Sequence, residues 1–250
     1  MSTIADQGSP ENLPPQSIRA AALAAELEGA HPSDILRATL IREFPGKIAM
    51  VSSFGAESAV LLHLVAQVDP AAPVIFIDTD KHFAQTLEYR DDLAARLGLT
   101  NVRTVGPESE EVRAEDPTGD LWKRDPDACC ALRKVRPNER VLAPFDAWIS
   151  GRKRYHGAVH AQLPVVEHDG LHFKVNPLVS WGPQEIAAYM RAHDLPAHPL
   201  VAQGYPSIGC WPCTSPAEGT DVRAGRWAGS GKTECGIHHA PAPKGRPQAF

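Results

Sequence analysis

At 250 residues, 43% of them hydrophobic and 22% charged, the chain can bury one sizeable core with a small appendage. A net charge of −5 argues against the strongly basic face that a nucleic-acid partner needs, and no apolar run reaches the length of a membrane span. Five cysteines, an odd number, and a start "MSTIADQGSPENLPPQ" with no apolar leader disfavour a purely disulfide-held secreted fold; a cytoplasmic setting with reduced thiols is expected.

Residues 1–16, rich in Pro, Ser and Gln, are expected to be disordered. "SIRAAALAAELEGA", from Ser17 to about Ala30, predicts a helix, and a second is expected behind Pro32, capped by Ser33 or Asp34 and ending before Pro45. "KIAMVSS" then reads as an apolar strand, "SFGAES" as a tight turn and "AVLLHLVAQV" as a helix. "PVIFIDT" is a second buried strand, "HFAQTLEYRDDLAARLG" a helix with a Gly stop, and "NVRTV" a third strand. This alternation predicts the α/β class, a parallel sheet flanked by helices. Further on, Asp127 to Val141 predicts a helix, "FDAWIS" a strand and "GRKRYHG" a basic loop. "PVVEHDGLHFKV" predicts a hairpin turning at Asp169–Gly170, and "PQEIAAYMRAHD" a short helix opened by Pro183. From Leu195 the chain is rich in Pro, Gly and Ser, yet it carries three of the cysteines. No internal repeat and no second large domain is present in the sequence.

"VSSFGAES" runs from a strand end into a helix start, where backbone N–H groups and the helix dipole favour an anion. Ser52, Ser53 and Ser58 add hydroxyls, and Gly55 permits close backbone approach to a ligand; the same composition also serves an ordinary strand–helix joint. Asp78 and Thr79, ending the next strand, face the same crevice in an open parallel sheet, either as contacts to a sugar or base or as caps of the following helix.

The cysteines fall as Cys129–Cys130, as Cys210 and Cys213 in "CWPC", and as Cys235 alone in "KTECGIHH". Adjacent thiols do not readily bond to each other. Four thiolates suit either a tetrahedral zinc or a four-iron four-sulfur cluster, and adjacent ligands sit more easily on the wider cubane; buried, inert thiols are the third reading. Cys235, beside Gly236 and near Lys232 and His238, sits in a stretch too polar for a core, as a nucleophile or as an exposed thiol.

Taken together, "SFGAES", "DT…HF…T", "CCALRK", "GRKR", "NPL…W", "GYPSIGCWPCT", "RAGRW" and "KTECGIH" resemble the assimilatory sulfonucleotide reductases, in their cluster-containing adenylyl-sulfate (APS) branch. The resemblance runs from about Ile48 to His238. It implies an ATP-pyrophosphatase-like (adenine nucleotide alpha hydrolase-like) fold over residues 17–228 and a flexible C-terminal segment, 229–250, carrying the nucleophile. It also implies a [4Fe-4S] cluster on Cys129, Cys130, Cys210 and Cys213, and Cys235 as the residue that takes a sulfo group from APS. Thioredoxin or glutaredoxin would be the thiol donor, with reduction of the 3′-phosphorylated substrate PAPS as the competing activity. A nucleotide-binding module with a structural metal site and no turnover is the alternative of another class; monomer and homo-oligomer both stay open. A thiolate approaching a phosphosulfate needs cations, which Lys134, Arg152, Lys153, Arg154, Arg223 and Arg226 would supply, with His238 near the thiol. Lys134, four residues after Cys130, returns to nearly the same helix face. The sequence departs from the family pattern at Asp80, where Gly is common, at Gln85 in place of Glu, at His156 in place of Gln and at His160 in place of Arg.

Overall fold

Ile48–Val51 (β1) and Val74–Ile77 (β2) are short runs of apolar side chains buried along nearly their whole length, as strands covered on both faces must be. The computed structural model describes residues 15–156, 161–219, 221–228, 232 and 234–238. It sets these strands inside a six-stranded sheet of order β3-β2-β1-β4-β6-β5, with β3 Val102–Val105, β4 Ala147–Ile149, β5 Val166–His168 and β6 Phe173–Val175. Every neighbouring pair is parallel except β5 with β6. These two form the expected hairpin, with Gly170 at φ +98° in its turn. The expected parallel α/β sheet is therefore present and carries one antiparallel edge strand.

The helices are α1 (Gln16–Leu27), α2 (Pro32–Arg37), α3 (Ser58–Val68), α4 (Ala84–Leu97), α5 (Ser109–Glu115), α6 (Leu121–Arg124), α7 (Pro126–Cys130), α8 (Arg136–Leu142) and α9 (Pro183–Ala192). Three expectations need correction. Gln16 is already helical, so the disorder expected for 1–16 fails at that end; residues 1–14 lie outside the described residues. The cap of α2 is His31, whose Nδ1 accepts the Ser33 N–H at 3.2 Å, and Ser33 and Asp34 lie inside the first turn. The helix expected over 127–141 is α7 and α8 joined by a π-helical turn, Ala131–Val135.

One face of the sheet packs against α1, α2, α3, α4 and α9 around Leu36, Leu62, Leu64 and Phe76. The other packs Ala49, Ile75 and Trp148 against Leu142 and Phe145 at the end of α8. Among the described residues no helix is long and apolar enough to cross a membrane. Among the described residues after Leu195 the helical pieces are short 3-10 turns; an isolated bridge between His82 and Cys210 ties this segment to the domain, and one between Thr214 and Arg226 closes it on itself.

His198 closes one side of this packing. It is buried, its Nε2 lies 3.0 Å from Thr86 Oγ1, and burial pulls its pKa down to about 4. Because the folded pKa lies below the unfolded value near 6.5, the unfolded chain takes up more protons between these limits. Stability is therefore full above about pH 6.5 and falls as the pH drops towards 4, by about 3 kcal/mol from this group. Urea unfolding followed from pH 7 to 4 should show this loss, and a His198→Gln protein should lack it.

Candidate active site at the sheet switch point

The strand order reverses between β1 and β4, and ligands of open α/β sheets bind at the carboxyl ends of strands at such a point. The loops that leave β1 and β4 there line a cleft of about 270 Å³. In the first loop Phe54 is wholly buried at φ +48°, a strained conformation for an aromatic residue, held by its ring against Phe76 and by its N–H to Ser52 Oγ at 3.2 Å. A Cβ on Gly55 would stand a tight 3.3 Å from the Ile208 carbonyl oxygen. The "SIGCWPC" segment thus also approaches this loop closely.

Of the residues singled out from the sequence, Ser52, Ser53, Gly55, Ser58, Lys134, Arg152, Lys153, Arg223, Arg226, Cys235 and His238 line this one cleft. Asp78, Thr79 and Arg154 do not. Asp78 closes a local turn, its Oδ1 accepting the Asp80 N–H at 3.0 Å. Thr79 is fully buried with Oγ1 3.3 Å from Cys210 Sγ. Arg154 is turned away to α1, where Glu28 takes its guanidinium at 3.0 Å, and it also donates to the Leu163 carbonyl. His160 lies outside the described residues.

The cations in the cleft divide into two groups. Lys153 is buried and donates to Glu57 Oε2 at 2.8 Å, while Tyr155 donates to Oε1 of the same carboxylate at 2.6 Å. Arg152 pairs with Glu167, and Arg223 with Glu234 at 3.4 Å. Lys134 and Arg226, by contrast, meet no carboxylate among the described residues. Burial lowers the Lys134 pKa, but the nearby Cys210 and Cys235 sulfurs outweigh it and raise the value. Burial and Arg223 depress Arg226, against the pull of Cys210 and Cys235. Arg226 lies so tightly over Gly209 that a Cβ there would overlap its guanidinium.

Cys129, Cys130, Cys210 and Cys213 line a second, smaller cavity, and no disulfide joins any of them. Burial pushes Cys129 up to about 11 and Cys130 up to about 12. Burial also opposes ionisation of Cys210, yet Lys134 and the Thr79 hydroxyl bring that thiol below its ordinary value. Among the described residues no three of His, Cys, Asp or Glu converge on one point as the ligands of a single ion would. Four thiols lining one cavity are of the donor type that metal centres use. Cys235 lines the cleft and not this cavity. Lys134, Arg226 and Trp227 line both chambers and form the wall between them.

Sequence reasoning passed over four residues that matter to this geometry. Glu57 lay within the quoted loop but was read only for its serines and glycine. His82 lay in the quoted "DT…HF…T" motif but was given no role, and Trp148 lines the cleft without any local motif to mark it. Arg133, one residue before Lys134, is buried and ties three segments together: Nη1 donates to the Thr79 carbonyl and to Asp80 Oδ2, and Nη2 to Asp116 Oδ2, each at 2.9 Å. Asp80 itself sits at φ +56°, which accounts for the glycine common at that place; Asp tolerates the left-handed region and here adds a carboxylate for Arg133.

The fold and cleft define the class: an α/β protein of ATP-pyrophosphatase-like architecture whose switch-point crevice holds a thiol among cations. Comparison with known proteins supplies the family. The description "Phosphoadenosine phosphosulfate reductase domain" matches residues 47–216. The adenosine 5′-phosphosulfate reductase of Chelativorans sp. (strain BNC1) is 57% identical over 194 residues, 77% of this chain and 79% of the relative. That of Mesorhizobium japonicum is 52% identical over 221 residues, 88% and 87% of the two chains. Among solved structures, the phosphoadenylyl-sulfate (PAPS) reductase of Candida auris, a phosphate complex, superposes with a TM-score of 0.70 at 28% identity, covering 81% of this chain and 99% of that one. The chain belongs to the phosphoadenosine phosphosulfate reductase family, and with that it is an oxidoreductase.

Proposed function

We propose that this enzyme reduces APS to sulfite and AMP through an S-sulfocysteine on Cys235, with a protein dithiol of the thioredoxin or glutaredoxin type as electron donor. The observation that carries the reading is the placement of Cys235: it shares the switch-point cleft with Lys134 and Arg226, the two of its cations that meet no carboxylate among the described residues, and stands apart from the four-thiol cavity. The Cys235 thiolate attacks the sulfate sulfur, the S–O bond to the phosphate breaks, and AMP departs with the bridging oxygen. A donor thiolate then attacks the Cys235 sulfur and expels sulfite. The mixed disulfide so formed is resolved by the donor's second thiol, which returns Cys235 as a thiol and leaves the donor oxidised by two electrons. Lys134 and Arg226 counter the charge of the phosphosulfate.

Cys129, Cys130, Cys210 and Cys213 would hold a [4Fe-4S] cluster. Once bound, it supplies a structural and electrostatic centre behind Lys134, and both electrons of the reaction come from the dithiol. Acid pairing of Lys153 with Glu57 and of Arg152 with Glu167 leaves little spare positive charge for a 3′-phosphate, which favours APS over PAPS.

The test is to incubate the reduced, iron-loaded enzyme with APS alone and measure its intact mass. One sulfo group on Cys235, removed by reduced thioredoxin with release of sulfite, is expected; an unmodified protein that still turns over would overturn the reading. A second expectation concerns the wall. Gly209→Ala would displace the Arg226 side chain while the backbone stays in place, so turnover should fall roughly ten- to a hundredfold with melting little changed. Parallel kinetics and thermal melts check both halves.

A further inference from the structure

Lys174 stands on β6 directly beside Trp148 of β4 in the register of the sheet. Strand alternation in "HFKVNPL" would send this lysine to solvent, yet it is buried. Its ammonium meets Asp169 Oδ2 at 3.0 Å, and Asp169 is in turn held by the N–H groups of Leu171 and His172 at 2.9 and 2.8 Å. A buried pair of this kind is costly, and a well-packed apolar pair often serves stability as well or better. The ammonium has a further partner that gives the cost a purpose: the backbone carbonyl of His238, which accepts from Nζ at 2.9 Å. The His238 ring lies flat against Trp148, centroids 5.1 Å apart and planes 8° off parallel, and Lys174 Nζ stands 5.6 Å from the same indole. His238 is three residues beyond Cys235, and the intervening Gly236 turns the chain at φ +89°. Upstream of the thiol, Lys232 reaches Asp127 of α7. The thiol is thus slung between an anchor on the helix that ends in Cys129–Cys130 and an anchor on the sheet.

We propose that Lys174, backed by Asp169, is a positioning residue for Cys235, docking the chain at His238 and so setting where the thiol rests in the cleft. The docking stands on geometry alone; only its catalytic consequence rests on the reading of Cys235 as nucleophile. Sulfo transfer asks that the sulfur be held among Lys134 and Arg226, whereas the donor protein must later reach the same atom. A charge-assisted hydrogen bond to one carbonyl suits both demands, because it biases the docked state by roughly ten- to a hundredfold without sealing it.

Two variants test this in the full-length, iron-loaded protein. Lys174→Met removes the donor and keeps the apolar stem; Lys174→Met with Asp169→Asn also removes the acid that would be left uncompensated. Without nucleotide, iodoacetamide should alkylate Cys235 roughly tenfold faster in the variants, as read by peptide mass, and amide exchange at 234–238 should quicken. With APS, single-turnover transfer onto Cys235 should slow by a similar factor while the Kd for APS stays unchanged, a split that a purely structural role would not produce. A folded variant alkylated at the wild-type rate overturns the proposal, as does loss of the fold in both variants, which would make the pair scaffold alone. Faster alkylation in a protein whose wild type forms no sulfo adduct would uphold the docking and sink the reductase reading instead.

Discussion

Cys235→Ser is expected to lower sulfite formation from APS by at least about 10³-fold while nucleotide binding and the proposed cluster are retained. Two separate obstacles produce this effect. A serine hydroxyl is far less ionised than a thiol near neutral pH, so Lys134 and Arg226 would have little anion to steer towards the sulfate sulfur. Even a forced attack by the hydroxyl would yield a sulfate ester, in which sulfur is still fully oxidised. No sulfur–sulfur bond would exist for a dithiol to exchange with, and the two-electron step would have no route. Sulfite and AMP assays, run beside equilibrium dialysis with APS and the broad visible absorption that the proposed cluster would give, separate loss of chemistry from loss of binding or of that cluster. A serine variant with more than a few per cent of wild-type turnover would move the nucleophile elsewhere.

Arg133→Met should be the most damaging single change to the scaffold of the site. The guanidinium is 4% exposed and the Asp116 side chain it pairs with is 0% exposed, so removing the cation strands a carboxylate away from water. Asp116 would keep the Leu121 N–H at 2.8 Å and the more distant charge of Lys81. Breaking a buried pair from one side typically costs about 3–5 kcal/mol, which corresponds to a fall in melting temperature of roughly 6 to 20 °C in a chain of this size. The variant should also lose activity, because Arg133 joins the Thr79–Asp80 turn to the π turn carrying Lys134. Adding Asp116→Asn should restore part of the stability, since the stranded charge goes with it. If calorimetry shows the double variant falling by the sum of two large single losses, the pair is not the unit described here.

The order β1, α3, β2, α4, β3 was legible because each element declares itself locally: apolar runs for strands covered on both faces, a period near 3.6 for the helices, and Gly98 in the left-handed conformation at the end of α4. The hairpin was legible from Asp169–Gly170. The π turn at Ala131–Val135 was not, because it contains the same good helix formers as an α-helix and differs only in how its backbone bonds are spaced. Lys134 was placed on the Cys130 side by α-helical spacing; it does face the thiols, but from a wider turn. Partners distant in sequence were the chief blind spot. Nothing near Arg154 reveals that Glu28 will take it, nothing near Lys153 reveals Glu57, and a lysine in a hairpin gives no sign that a tail carbonyl awaits it. Ion pairing across the fold thus decided which cations of the basic loop face the cleft as framework and which positions keep net positive charge.

The wall formed by Lys134, Arg226 and Trp227 has a consequence for how such an enzyme changes over time or under redesign. Each of these side chains belongs to two compartments at once, so a replacement that suits one is also an alteration of the other. Tuning the switch-point cleft and tuning the sulfur-lined chamber are therefore a single problem at these three positions.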